Sequence, residues 1–195
     1  QLRELCDKHG LLLIFDEVQC GIGRTGKLFA YEWAGIAPDL MAVAKGIGGG
    51  FPMGACLGTD AAVAGMTTGV HGTTFGGQAV AAAAAHATLD LLEGGLQENA
   101  ARLGEFLLAE LRALKRRFPF LGDVRGRGLM IGLDFGDPDH PQPDLRDKAV
   151  RLAFEKGLLL LPAGPSALRI APPLVLTQEE AALGLEILEE VFRAL

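Results

Sequence analysis

The sequence has little of what membrane, nucleic-acid-binding and metal-binding proteins require. No apolar run in its 195 residues reaches the roughly 18–20 residues that span a bilayer. Lysine and arginine total 18 against 24 acidic residues, and the resulting net charge of −6 disfavours nucleic acid or an anionic membrane as partner. The 4 histidines are scattered along the chain. We therefore expect a soluble protein with no nucleic-acid partner, no membrane partner and no metal site.

Cysteines are also few, and the start of the chain lacks a methionine. Cys6, Cys20 and Cys56 are odd in number and have no metal-ligand spacing, which suits a reducing compartment. The chain begins at Gln1, within an amphipathic helical pattern that Gly10 is expected to end as a C-terminal cap. We therefore expect a cytoplasmic protein of which this chain is a fragment.

Two apolar runs that each end at a charged residue are the most informative feature present. Residues 11–15 precede Asp16, and residues 40–44 precede Lys45. Five apolar residues in a row fit a strand covered on both faces, as in a parallel sheet between helix layers. The carboxyl ends of such strands meet at the crevice where open α/β sheets bind ligands. A carboxylate and a lysine converging there suit a pyridoxal phosphate (PLP) enzyme, in which the lysine forms a Schiff base and the carboxylate pairs with the ring nitrogen.

The order of predicted elements indicates two domains. The first part alternates strands and helices, and the alanine-rich run over 78–92 predicts a helix that Gly94 and Gly95 end. The second part mixes a β pattern over 122–135 with later helices and strands, and Thr177 opens a capping box with Glu180. We expect an α/β domain over 1–95 and an α+β domain over 96–195. The predicted helices are 29–34, 60–65, 78–92, 97–117, 144–156 and one from Thr177; the predicted strands are 11–15, 40–44, 55–58, 158–161 and 167–171.

Four motifs give the chain a family resemblance. They are LLLIFDEVQCGIGRTGKLFAYEWAGIAPDLMAVAKGIGGGFPMGA, HGTTFGG, DVRGRGLMIGL and ALRIAPPLVLT, and together they extend over essentially the whole chain. They resemble the class III (subgroup II) PLP-dependent aminotransferases, which include the acetylornithine, ornithine and 4-aminobutyrate enzymes. The resemblance implies fold type I: part of a large domain with a mainly parallel sheet, followed by a small α+β domain. It also implies that an N-terminal portion precedes this chain.

The resemblance assigns the two charged residues their roles. Lys45 matches the Schiff-base lysine, which also moves a proton during the reaction. Asp16 matches the carboxylate that pairs with the pyridine nitrogen of PLP. The neighbouring Glu17 is the weaker candidate for that role, because adjacent side chains on a strand face opposite ways.

The same resemblance implies four further contacts. Val18 packs on the cofactor ring, and Gln19 hydrogen-bonds its phenolic oxygen. Thr74 binds the cofactor phosphate of a second subunit, which makes a homodimer with shared active sites a requirement. Arg169 binds a substrate carboxylate, for which a planar guanidinium is well shaped. The family has Asn-Pro where this chain has Gln78 and Ala79, a departure that leaves Thr74 unaffected.

The reaction implied is transamination between an ω-amino acid and a 2-oxo acid, with 2-oxoglutarate as the expected acceptor. The sequences GDVRGRG and LRIAPPL look slightly closer to those of the 4-aminobutyrate branch of the family. An amino-acid racemase on the same scaffold stays open as an alternative. A P-loop ATPase, in which Asp16 and Glu17 would end a Walker B strand, lacks any GxxxxGK[ST] motif in this sequence. A non-catalytic interaction domain is the third alternative.

Overall fold

The computed structural model describes residues 1–195 and divides into two compact units, Gln1–Gln97 and Glu98–Leu195. Assigning these units to a large cofactor-binding domain and a small C-terminal domain stays a prediction. The helices are α1 (Leu2–His9), α2 (Asp60–Val63), α3 (Ala79–Leu91), α4 (Gln97–Arg117), α5 (Pro143–Glu155) and α6 (Gln178–Arg193). The strands are β1 (Ile14–Asp16), β2 (Leu40–Ala44), β3 (Gly54–Gly58), β4 (Leu121–Arg127), β5 (Met130–Phe135), β6 (Leu161–Ala163) and β7 (Ala167–Ile170).

The first unit is built on a three-stranded sheet in the order β1-β2-β3. β1 and β2 run parallel, with Asp16 opposite Ala42, and β3 runs antiparallel to β2. Two short 3₁₀ helices, Ala30–Ala34 and Lys45–Gly48, follow the two parallel strands. The parallel pair therefore places the ends of β1 and β2 at the same edge of the sheet.

The two apolar runs differ in how this chain covers them. Leu13 is buried, but Leu11, Leu12 and Ile14 are 56%, 54% and 62% exposed. No part of the described chain covers that side of β1. The second run fits better, because Met41 and Val43 are buried and the residues between them are half-buried.

Helix boundaries in the first unit follow the glycines and caps of the sequence with one exception. Gly10 ends α1 in a left-handed conformation, as predicted. The predicted helix over 78–92 is confirmed as α3, and Gln78 caps it by accepting a hydrogen bond from the Ala81 N–H. Gly94 and Gly95 do not end the helical path. Instead a π-helical turn over Leu92–Leu96 follows α3, with Gly95 at φ 120°.

The second unit has an antiparallel four-stranded sheet in the order β4-β5-β7-β6. The predicted strand over 158–161 is misplaced, since β6 begins only at Leu161 and is an edge strand that contains Pro162. Proline lacks a backbone donor and is tolerated on an edge of this kind. The predicted capping box is confirmed: Glu180 donates its N–H to Thr177 Oγ1, and Thr177 donates its N–H to a Glu180 carboxylate oxygen.

One hydrophobic core holds the second unit together. The 21-residue helix α4 buries Ala100, Leu103, Leu107, Leu111 and Leu114 at helical spacing. The remaining core residues come from the sheet, α5 and α6, and include Val124, Ile131, Leu133, Phe135, Ala149, Ala153, Leu168, Leu188 and Phe192. Close packing here depends on Gly104, where a Cβ would lie only 2.4 Å from the Gly128 Cα. No helix in the structure combines the length and apolar character that crossing a membrane requires.

Candidate active site

Asp16 and Lys45 lie at the shared edge formed by the ends of β1 and β2. Asp16 is the last residue of β1, and Lys45 follows β2 directly. Lys45 is three residues beyond the register partner of Asp16, roughly 10 Å along the strand at about 3.3 Å per residue. Both side chains belong to exposed residues, and no ion pair joins them. The structure therefore brings an acid and an amine to one edge of the sheet, three register positions apart.

The Asp16 carboxylate is held by the chain that follows it. Its Oδ1 accepts a hydrogen bond of 2.9 Å from the Val18 N–H, which leaves Oδ2 without a protein donor. Val18 does not continue the strand, because the chain turns after Asp16. Val18 is therefore not on a strand face with Asp16, although its N–H lies next to the carboxylate. Gln19 is exposed in the same turn, and its amide has no protein partner.

Lys45 has an unusual backbone. Its φ is +52°, and it and Ile22, at φ +59°, are the two non-glycine residues in the left-handed region. This region strains L-residues, and a β-branched residue there is especially rare. A Cβ placed on Gly46, which follows Lys45, would lie 3.7 Å from the Ile22 Cβ, so the two strained segments adjoin. Strain of this kind concentrates at functional sites.

Two charged residues, Glu17 and Arg146, are buried, which the sequence did not predict. Glu17 is 2% exposed, and its carboxylate accepts hydrogen bonds from Ala30, Tyr31 and Cys20. Burial, and secondarily its hydrogen bond to Glu17, raises the pKa of the Cys20 thiol to about 12. Arg146, on α5, is 7% exposed and donates to the Ala167 carbonyl. A charged residue beside an apolar run gives no signal that its side chain will be buried.

The other two predicted site residues, Thr74 and Arg169, belong to other elements of the chain. Thr74 is exposed in the loop that precedes α3. α3 packs against the 3₁₀ helix that begins at Lys45, where a Cβ on Gly49 would lie 2.6 Å from Thr88 Oγ1. Arg169 belongs to the second unit, where it is half-buried on β7 opposite Gly132 and Leu161. Its guanidinium has no protein partner, which leaves it available for an anionic ligand.

These residues fit the cofactor that the family resemblance implies. A primary amine without a protein partner, a carboxylate oxygen without a donor and an exposed amide share the edge of the β1–β2 pair. PLP presents a carbonyl carbon for an amine and a pyridine nitrogen for a carboxylate. Lys45, Asp16 and Gln19 therefore have the chemistry to hold such a ring.

Comparisons with known proteins agree with this chemistry. The sequence profile of the family "Aminotransferase class-III" matches residues 1–192. The acetylornithine aminotransferase of Mesorhizobium japonicum is 54% identical over 183 residues, which cover 92% of this chain and 44% of the relative. The solved acetylornithine aminotransferase of Elizabethkingia anophelis has a TM-score of 0.89 at 36% identity, covering 98% of this chain and 48% of that one. A PLP-bound amine transaminase from an uncultivated Pseudomonas species has a TM-score of 0.91 at 39% identity, covering 99% and 47%.

The fold is thus that of a type-I PLP-dependent aminotransferase, represented in part. Within that class, the chain belongs to the class III aminotransferase family. It spans about half the length of the curated relatives it matches. The resemblance predicted from the four motifs is confirmed, but the slight preference for the 4-aminobutyrate branch is not supported, because these relatives are acetylornithine aminotransferases.

Proposed function

We propose that the whole protein is a PLP-dependent aminotransferase that moves the terminal amino group of N-acetylornithine, or a similar ω-amino acid, to 2-oxoglutarate. The observation that carries the proposal is the unpartnered Lys45 amine, held by a strained backbone at the same sheet edge as Asp16. The family and the names of the similar relatives support the reaction and the donor class.

Lys45 and Asp16 have complementary tasks in this proposal. When bound, PLP supplies an electron-accepting ring that lets a proton leave the carbon next to the substrate nitrogen. Lys45 would hold the cofactor through Nζ and, once released, accept and return that proton. Asp16 would keep the ring nitrogen protonated through Oδ2, since Oδ1 already accepts from Val18. Gln19 and Val18 would orient the ring from the turn after β1.

The remaining predicted residues bind the anionic ends of the ligands. Arg169 would bind a substrate carboxylate with two parallel hydrogen bonds, which determines orientation as well as affinity. Thr74 would donate its hydroxyl to the cofactor phosphate of a second copy of the protein. A homodimer with shared active sites follows from that assignment.

All three cysteines are unpaired thiols, which supports our assignment of the protein to the cytoplasm.

A donor panel on the full-length protein tests the proposal. N-acetylornithine, ornithine and 4-aminobutyrate are each supplied with 2-oxoglutarate, and glutamate formation is followed. We expect glutamate from N-acetylornithine at the highest kcat/KM and none from the Lys45→Ala variant. No glutamate from any of the donors, together with loss of optical activity from an α-amino acid, would favour the racemase instead.

A further inference from the structure

Glu17 is an acidic residue that the first unit buries. It follows Asp16 in the chain, and only 2% of its surface is exposed. Its Oε1 accepts the Tyr31 N–H at 2.8 Å, and its Oε2 accepts the Ala30 N–H at 3.0 Å and the Cys20 thiol at 2.9 Å. A buried carboxylate is stable only with such donors, because removing an unpaired charge from water is strongly unfavourable. The carboxylate therefore joins the turn after β1 to the first turn of the Ala30–Ala34 3₁₀ helix.

The backbone of Glu17 is tied in the same place. Its N–H donates to the Ala42 carbonyl of β2 at 2.9 Å, and its carbonyl accepts the Gly21 N–H at 3.0 Å. Only glycine fits at position 21, because a Cβ there would lie 2.6 Å from the Glu17 carbonyl oxygen and 3.1 Å from the Glu17 Cβ. Glu17 thus contacts β2, the turn and the 3₁₀ helix through five hydrogen bonds.

The segment that Glu17 holds connects the two charged residues of the candidate site. It begins beside Asp16 and reaches Ile22, which is buried and adjoins Gly46. Gly46 follows Lys45, so a shift of the turn after β1 would move the surroundings of both Asp16 and Lys45. Functional groups stay aligned only when the residues behind them are locked by packing and hydrogen bonds.

We propose that Glu17 is a positioning residue for the active site: its buried carboxylate holds the turn after β1 so that Asp16 and Lys45 face one bound cofactor. The inference rests on the proposed function. It concerns a residue that does not itself hold the cofactor, because both of its carboxylate oxygens already accept hydrogen bonds from the chain. Its effect is transmitted through the Asp16–Ile22 segment.

The test uses the full-length protein and two glutamates that bind the same 3₁₀ helix. Glu17→Gln keeps the shape but presents an amide N–H₂ where three donors converge, so at least one backbone N–H loses its acceptor. Glu32→Ala is the matched control, because it also deprives one backbone N–H of its acceptor: the Glu32 carboxylate accepts the N–H of Phe29, which caps the same helix, at 2.7 Å. The apparent Kd for PLP, the thermal midpoint without PLP and kcat at saturating PLP are measured for both.

We expect both variants to lower the thermal midpoint, whereas only Glu17→Gln weakens PLP binding, by about tenfold or more, and lowers kcat. PLP affinity and kcat within twofold of wild type in a folded Glu17→Gln protein would overturn the positioning role. Failure of the wild-type protein to bind PLP would instead overturn the proposed function.

Two further measurements keep the inference testable if Glu17→Gln does not fold. Gly21→Ala places a Cβ against the Glu17 carbonyl oxygen and displaces it, so this variant should also lose PLP affinity, and wild-type affinity in it would count against the proposal. Amide hydrogen exchange of the wild-type protein should show the Ala30 and Tyr31 N–H groups protected. Exchange at unprotected rates would mean that Glu17 does not hold the helix.

Discussion

The second unit, Glu98–Leu195, encloses its large apolar side chains, whereas the first, Gln1–Gln97, leaves many of its own exposed. Thirteen of the eighteen exposed large hydrophobic residues lie in the first unit, among them Leu11, Ile14 and Phe75. The first unit also contains both strained non-glycine residues, Ile22 and Lys45. Because this chain spans about half the length of its relatives, its strained residues and polar anchors such as Glu17 distinguish the first unit better than its exposed apolar side chains do.

The two units differ in that the first contains most of the candidate site, whereas the second contains the main hydrophobic core. Reactive groups need solvent access, unpartnered polar atoms and unusual backbone angles, and all of these oppose dense apolar packing. The second unit has the converse character, with buried helices and sheet and one candidate ligand-binding group, Arg169. Substitutions in the first unit should therefore change activity more than stability, and core substitutions in the second should do the reverse.

The sharpest test of this division is at Lys45. Lys45→Gly removes the amine and also relieves the left-handed strain, because glycine adopts positive φ freely. In the full-length protein we expect aminotransferase activity to fall by at least about 10³-fold. The free energy of unfolding of the cofactor-free protein should rise by about 1 kcal/mol. Steady-state kinetics and denaturant unfolding measure the two effects.

Lys45→Ala is the control for Lys45→Gly. Alanine removes the amine and keeps the strain. The same loss of activity with no gain in stability is expected from it. Equal stability of the alanine and glycine variants would contradict the strain at Lys45.

Phe135 tests the second unit. It is fully buried, with its ring stacked 5.6 Å from Phe120 and edge-on at 6.0 Å to Phe192. Phe135→Ala should lower the free energy of unfolding by about 3–5 kcal/mol through lost contacts and a cavity. Phe154→Ala, at a residue that is 67% exposed, should change it by less than about 0.5 kcal/mol. Denaturant unfolding of the full-length protein provides the comparison, and similar losses from the two variants would disprove the assignment of the core.

Lowering the pH should reduce the contribution of the Asp39 carboxylate, a polar anchor of the first unit, to the stability of the fold. This carboxylate accepts from the Leu13 N–H at 2.6 Å and from an Arg3 guanidinium nitrogen at 2.7 Å, and these bonds, the backbone one first, hold its pKa below the ordinary 3.8. A group with a depressed folded-state pKa stabilises fully above the unfolded value, and this stabilisation is lost as the pH falls through the folded value.

We therefore expect the stability difference between wild type and Asp39→Asn to be constant above about pH 5 and to shrink below pH 3.8. Unfolding midpoints measured from pH 7 to pH 3 check this expectation. Asp7→Asn is the control, because Asp7 pairs with Arg3 but binds no strand backbone. If the stability difference between wild type and Asp39→Asn did not change with pH, the ionised Asp39 carboxylate would not stabilise the folded protein.

The smallest expected effect concerns Cys20 at high pH. Because the pKa of this thiol is raised from 9.0 to about 12, its folded-state contribution is complete below pH 9 and is lost as the pH rises toward 12. The stability advantage of wild type over Cys20→Ala should therefore narrow above pH 9. Thermal midpoints at pH 8, 9, 10 and 11 measure it, and an advantage that stays constant over this range would contradict a thiol that is hydrogen-bonded to Glu17.

Periodicity and local caps were sufficient for the elements whose partners are near in sequence. The α4 helix was predicted as 97–117 and α6 by its capping box, because helical spacing and end signals are local properties. The candidate residues Asp16 and Lys45 could likewise be selected from the sequence, since the motif that contains them is specific. The misplaced β6 shows the limit, because an edge strand with a proline has a weak pattern.

By itself, the amino-acid sequence determined the family and the order of most elements, and it selected the candidate residues for the proposed reaction. Only the tertiary structure decided which charged side chains are buried, that β3 pairs antiparallel to β2, and that the chain turns at Asp16 so that Val18 leaves the strand. The physical reason is the distance along the chain between the residues that make contact. Burial and strand pairing depend on contacts between residues far apart in the chain, such as Glu17 with Tyr31 and Ala42, and no local pattern records them.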